Sequence, residues 1–166
     1  MTDPYRVLLD LLEENRVMTL ATVGPEGPWA APVLYAWELV DRPLLYFMSR
    51  VQTRHAQDIL RTAQVAAAIY PPQTRPLRGI QLSGVAQLLR GPEAEEAIAH
   101  YLTRFPSARG RFAVAEVIAE RSDIRFFRIV PQRVFVLSEE HFGWGVRREV
   151  LLEPEHVAEW VSGQAR

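Results

Sequence analysis

Residues able to grip an anion crowd the stretch LLYFMSRVQTRHAQ, positions 44–57: Ser49, Thr53, Arg54 and His55. The run 44–48 is apolar and β-forming, ends in polar Ser49 and Arg50, and crosses a short loop. Thr53-Arg54-His55 then opens a helix predicted over 55–62. A helix start leaves backbone N–H groups without intrahelical acceptors and carries the positive end of the helix dipole. A hydroxyl, a guanidinium and an imidazole placed there suit a phosphate, which Arg grips with a planar fork of donors. The same residues admit a plainer reading, with Thr53 as an N-cap followed by two solvated polar side chains. From these residues alone both readings stand.

The rest of the chemical inventory is thin. Of the four histidines, His100 falls on an amphipathic helix and reads as a surface residue, His141 lies in a loop, and His156 decorates a helix near the C-terminus. Asp3, Asp10, Glu13 and Glu14 read as a solvated face, and no pair of carboxylates is spaced for general acid–base work. With no cysteine there is no disulfide, thiolate nucleophile or Cys-ligated metal. All 19 basic residues are Arg, so no side-chain amine exists for a Schiff base and a Lys-linked pyridoxal enzyme is excluded. A net charge of −1 without a basic block argues against a nucleic-acid groove. No apolar run is long enough for a membrane span and no signal-peptide pattern is present, so a cytoplasmic protein is expected.

At 166 residues with 48% hydrophobic and 23% charged side chains, a single domain over 1–166 is expected. Thr2-Asp3-Pro4 starts a first helix, with Val7, Leu8, Leu11 and Leu12 on one face. From Val17 the period changes to two: strands are predicted over 17–23, 29–39 and 44–48, joined by tight turns into a meander. Pro32 suggests an edge or a bulge in the second. Strands at 65–70 and 78–89 follow, and Gly84 in the middle of the latter suggests a bulge or a close approach. Helices are predicted over 91–105 and 112–121. Two strands, 124–130 and 134–137, are expected about Pro131-Gln132. A glycine-aromatic turn, His141-Phe142-Gly143-Trp144-Gly145, leads to a last strand over 146–152, and Pro154-Glu155 opens a short helix. Trp29, Trp37 and Trp144 read as core or dimer packing, with Trp144 also able to stack on a ring.

The order of a helix, LATVGPEGPWAAPVLY, LLYFMSRVQTRHAQ, RGIQLSGVAQLL and RIVPQRVFVL resembles the pyridoxamine 5′-phosphate oxidase-like, FMN-binding split barrels. TRHAQ, RGIQLSG, YLTRFPSAR and FGWGVRR resemble the YhbP-like branch of that family in particular. The resemblance implies a mainly β fold with flanking helices, a six-stranded antiparallel split β-barrel. It also implies a homodimer with FMN in a cleft between subunits. On it, Met48 and Ser49 fall on the strand end that contacts the ribityl-phosphate, and Thr53, Arg54 and His55 fall on the family's phosphate-holding Ser-Arg-Lys. His55 replaces a permanent ammonium with a group that titrates near neutral pH. Gln81 lies on the strand face of the family's ring-contacting Gln, two residues displaced, with Gly79 in the usual place. Arg147 falls where many members send an Arg to the flavin, and Leu137 replaces an aromatic residue. Gly143-Trp144-Gly145 stands where the oxidase proper carries Arg-x-His, so the resemblance does not extend to vitamin-B6 oxidation.

The expectation is therefore a flavin-dependent oxidoreductase of a small substrate, the cofactor supplying the chemistry and the protein positioning it. Alternatives are a non-catalytic flavin or haem module, with His141 as the haem ligand, a cofactor-free interaction dimer, and a reductase using the deazaflavin F420, whose phosphate suits the same Arg54 site.

Overall fold

The computed structural model describes residues 2–153; the helix expected at Pro154-Glu155 lies outside them. Helix α1 (Pro4–Glu14) is capped by Asp3, whose carboxylate accepts from the Tyr5 N–H at 2.8 Å. Its buried face, Tyr5, Val7, Leu8, Leu11 and Leu12, is the apolar stripe visible in the sequence. Two antiparallel hairpins follow, β1 (Val17–Gly24) with β2 (Gly27–Leu34) and β3 (Ala36–Leu39) with β4 (Pro43–Arg50). β2 and β3 stand at opposite ends of the strand order, so the continuous meander expected from the sequence does not form. After α2 (Arg54–Thr62) come β5 (Gln64–Ile69) and β6 (Arg78–Leu88). Helices α3 (Gly91–Arg104) and α4 (Val114–Ile118) flank a single 3-10 turn, and β7 (Ile124–Ser138), α5 (Glu139–Phe142) and β8 (Arg147–Val150) complete the described chain.

All strand pairs are antiparallel, in the order β2-β1-β5-β6-β7-β4-β3, with β8 added to β7. Strand β2 also lies against β4, so the sheet curls toward closure. The main core fills its concave side and takes in Leu8 and Leu12 of α1, Met18, Leu20, Phe47 and Phe127. A second cluster, with Tyr46, Ile98, Tyr101 and Phe126, lies between α3 and the other face of β4 and β7. β4 serves both: Leu45 and Phe47 enter the first core and Tyr46 the second.

Among the described residues eight strands form the sheet, two more than the six-stranded barrel the resemblance implies, and their boundaries depart from the predicted ones in two places. The predicted strand over 29–39 breaks at Tyr35. This fully buried residue turns to bond the Leu12 carbonyl through its hydroxyl at 2.9 Å and the Arg16 carbonyl through its N–H at 3.1 Å. The two strands expected about Pro131 are one. Ser83 pairs with Arg133 and Gly84 with Pro131, so Gln132 is the extra residue of a β-bulge that carries β7 past the proline without ending it. A Cβ on Gly84 would sit 2.2 Å from the Val130 carbonyl oxygen, which is the close approach the sequence suggested. The helix expected over 112–121 is helical only from Val114 to Ile118, and the glycine-aromatic turn begins with the short α5.

Candidate functional site

Helix α2 begins one residue earlier than expected, at Arg54, with Thr53 as its N-cap. The Thr53 hydroxyl accepts from the Ala56 N–H at 3.4 Å, which leaves the Arg54 and His55 N–H groups, at the first two helical positions, without intrahelical acceptors. Ser49, the last inward position of β4 after Leu45 and Phe47, reaches the same place. Its Oγ lies 2.8 Å from Thr53 Oγ1 and 2.8 Å from His55 Nε2, and Thr53 Oγ1 is 3.2 Å from the same nitrogen. Two hydroxyls and an imidazole thus converge on a helix N-terminus. Burial pulls the His55 pKa below its ordinary 6.5, and Asp58 only partly offsets this. The neutral ring therefore prevails at pH 7.

The nearest carboxylate on the helix is otherwise engaged. Asp58, 4% exposed, accepts from the Thr22 hydroxyl at 2.8 Å and lies so close beneath Gly24 that a Cβ there would overlap its Oδ1. It ties α2 to β1, and among the described residues it makes no hydrogen bond to the Ser49–Thr53–His55 cluster.

Arg54 faces away from the cluster. Consecutive helical residues are about 100° apart, so Arg54 and His55 cannot share one direction. The guanidinium lies 4.6 Å from the centroid of the Trp29 ring, donates to the Gly27 carbonyl at 3.3 Å and stands 3.9 Å from Glu26. The β1–β2 hairpin thus holds Arg54 beside the helix start. Met48 turns to the opposite side of β4 and packs against the α3 cluster. Gln81 and Arg147 form a third group on the outer face of the sheet, Arg147 Nε donating to Gln81 Oε1 at 3.2 Å. Gln81 pairs with Phe135 and Ser49 with Arg125, positions far apart along β7. Among the described residues no hydrogen bond or ion pair joins Gln81 or Arg147 to the α2 start.

The remaining candidates also find their places. His141 is exposed, its Nδ1 3.4 Å from Thr2 Oγ1. Trp144 is 81% exposed between Gly143 and Gly145, whose φ angles of 92° and 70° suit glycine, so it is not core. Trp29 is exposed as well, and its contact with Arg54 was not foreseen. His100 is not a free surface residue. Its Nε2 pairs with Glu38 at 2.9 Å and its ring stacks on Tyr46. No local signal marked Glu38, which reaches His100 from a strand about 60 residues earlier; only the four-residue spacing of Glu96 and His100 was visible in advance.

A family profile described as pyridoxamine 5′-phosphate oxidase matches residues 6–138. The UPF0306 protein YhbP of Salmonella paratyphi A is 36% identical over 101 residues, 60% of this chain and 68% of that protein. A heme binding protein from Mycobacterium smegmatis matches 95% of this chain with a TM-score of 0.72 at 22% identity. This chain spans 61% of that protein, less than two thirds of its length. The heme storage protein HutZ from Vibrio cholerae matches with a TM-score of 0.66 at 18% identity, over 84% of this chain and 100% of that one. Likeness at such identities carries the fold, an oxidase-like split barrel, and nothing finer. Among the described residues no helix is long and apolar enough to cross a membrane. With most of its length matched by the family profile and YhbP among its relatives, the chain belongs to the pyridoxamine 5′-phosphate oxidase family, in the UPF0306 branch.

Proposed function

We propose that this protein is a homodimeric FMN-binding split barrel that acts as a flavin-dependent oxidoreductase on a small substrate and is not itself a pyridoxamine phosphate oxidase. The observation that carries the reading is the convergence of Ser49, Thr53 and His55 on the start of α2. Those groups, two backbone N–H donors and the neighbouring Arg54 guanidinium fit a phosphate monoester, and among the described residues no carboxylate hydrogen-bonds to the hydroxyl–imidazole cluster. In this reading Arg54 leaves the Gly27 carbonyl for the phosphate while keeping its stack on Trp29. FMN when bound supplies the redox chemistry. The chain's own residues hold its phosphate and exclude water.

A dimer is supported by the outer face of β1, β5 and β6. Its outward positions include the small or apolar Val17, Ala21, Ala66, Ala68 and Ser83 alongside Gln64, Gln81 and Gln87, and none is charged. Val17 is 48% exposed, Leu34 44% and Tyr70 60%, in a face depleted of charge in the manner of interface cores. Gln81 and Arg147 lie on that outer side, so a second copy packed there would offer them to a flavin whose phosphate sits at the first copy's α2. Against oxidation of vitamin B6, an Arg-x-His in place of Gly143-Trp144-Gly145 would put side chains on two backbone positions of positive φ.

A titration of the purified protein with FMN, followed by quenching of flavin fluorescence, tests the reading, with riboflavin as the phosphate-free control. Saturable FMN binding at one per chain, much tighter than riboflavin, together with a dimer in sedimentation at micromolar concentration, is the expected result. Equal binding of both flavins, or a monomer, refutes it. Haem is the second reading, favoured by what the two structural neighbours are named for. A Soret band on haem addition that His141→Ala abolishes, without FMN binding, would favour it.

A further inference from the structure

We infer that Glu38, Glu96 and His100 form a binding site for a divalent transition-metal ion, separate from the proposed flavin phosphate site. The Glu38 and Glu96 carboxylates and the His100 imidazole each bring one donor atom to within 4.8 Å of the other two. Glu96 and His100 stand one turn apart on α3, on the same face of the helix, and Glu38 reaches them from β3. His100 Nε2 and Glu38 Oε2 are 2.9 Å apart. Two donors at that separation subtend about 90° at an ion roughly 2.1 Å from each, the angle between neighbouring ligands of an octahedral ion. Closure of the third ligand needs only the side chain of Glu96, which is exposed and free to swing.

A salt bridge between Glu38 and His100 accounts for two of the three groups but leaves Glu96. Its carboxylate makes no hydrogen bond or ion pair among the described residues. Two carboxylates beside one imidazole leave at least one negative charge that no ion pair among the described residues neutralises. The nearby Arg104 does not cancel it, because that side chain is held by Glu13 at 2.9 Å and by the carbonyls of Leu12, Glu13 and Asn15. A divalent cation would. The outer contacts are those that fix metal ligands. The Tyr46 hydroxyl donates a short hydrogen bond to Glu38 Oε1, leaving Oε2 for the ion, and the Tyr46 ring stacks on the imidazole at a centroid distance of 5.8 Å. Glu96 and His100 also line an open groove of about 650 Å³ with Trp37, Arg16 and Arg104, so the remaining coordination positions are open to water or to a small anion. One nitrogen and two carboxylate donors without sulfur select zinc, nickel, cobalt or manganese over copper(I), and the imidazole disfavours magnesium and calcium.

The test is isothermal titration of the full, untagged chain with Zn²⁺, and in parallel with Mg²⁺. The expected result is one Zn²⁺ per chain with no Mg²⁺ binding at equal concentration. Glu96→Gln, at an exposed helical position that leaves the fold intact, should weaken Zn²⁺ binding at least about tenfold, as should His100→Gln. A His141→Ala/His156→Ala double variant, which removes two of the chain's other histidines, should bind as the parent does. Absence of saturable Zn²⁺ binding to the parent overturns the assignment. So does retention of parental affinity by Glu96→Gln, or loss of binding in the double variant. Because FMN is absent throughout, failure here leaves the flavin reading standing.

Discussion

Replacing His55 with Gln should change how FMN affinity depends on pH, and the sign follows from the structure. In the unliganded protein burial holds the His55 pKa below 6.5, so the ring is neutral at pH 7. A phosphate among Ser49, Thr53 and the α2 N–H groups favours the imidazolium and raises the pKa of the complex. Below the unliganded value the ring is charged in both states, and its full contribution to binding is present. That contribution is lost as pH rises through the bound value. An imidazolium–phosphate hydrogen bond is worth about 1.5–3 kcal/mol, or roughly 10- to 100-fold in affinity, so the bound pKa should stand about one to two units above the free one. The phosphate itself titrates near pH 6. That term is common to parent and variant and cancels in the ratio of their dissociation constants. Fluorescence titrations from about pH 5.5 to 8.5 should therefore give a ratio of roughly 10 to 100 at the acid end, falling toward one at the alkaline end. A ratio that stays flat with pH would show that His55 does not meet the phosphate, whatever the affinity.

Arg54→Ala should lower FMN affinity about 10- to 100-fold, with an unchanged circular dichroism spectrum because the side chain spans only the surface between α2 and the β1–β2 hairpin; parental affinity would place the phosphate elsewhere. Gly84→Ala should destabilise the fold by about 1–3 kcal/mol or more, read as a lower Tm, since its Cβ would meet the Val130 oxygen at 2.2 Å and the Pro131 Cα at 2.9 Å, both backbone. Gly79→Ala, with its nearest contact at 3.0 Å, should cost less. Turnover of pyridoxamine 5′-phosphate should be negligible even at saturating FMN; efficient oxidation would show that the Gly143-Trp144-Gly145 turn does not govern the substrate side.

Much of this fold was legible in the sequence because its strongest signals are local. The apolar stripe of α1, the alternation of β1 and β6 and the turn at Gly24–Gly27 each report a periodicity or a turn chemistry that needs no distant partner. The concentration of polar side chains at Ser49, Thr53 and His55 was visible for the same reason, since a strand end and the following helix start are neighbours in the chain. Tertiary contacts decided the rest. Whether β7 ends at Pro131 depends on the glycine opposite it in β6, and whether β2 runs on into β3 depends on the carbonyls that Leu12 of α1 and Arg16 just beyond it offer to Tyr35. Arg54 and His55, adjacent in sequence, part company because the helix turns them to different neighbours, a hairpin on one side and a strand end on the other. His100 read as a surface residue because Glu38 and Tyr46, which engage it, belong to strands some 60 residues away; only the packing of α3 over β3 and β4 brings the three together. Sequence alone therefore determined which chemistry one short segment could hold, while the direction each side chain faces was set by long-range packing, because orientation depends on partners that local periodicity does not encode.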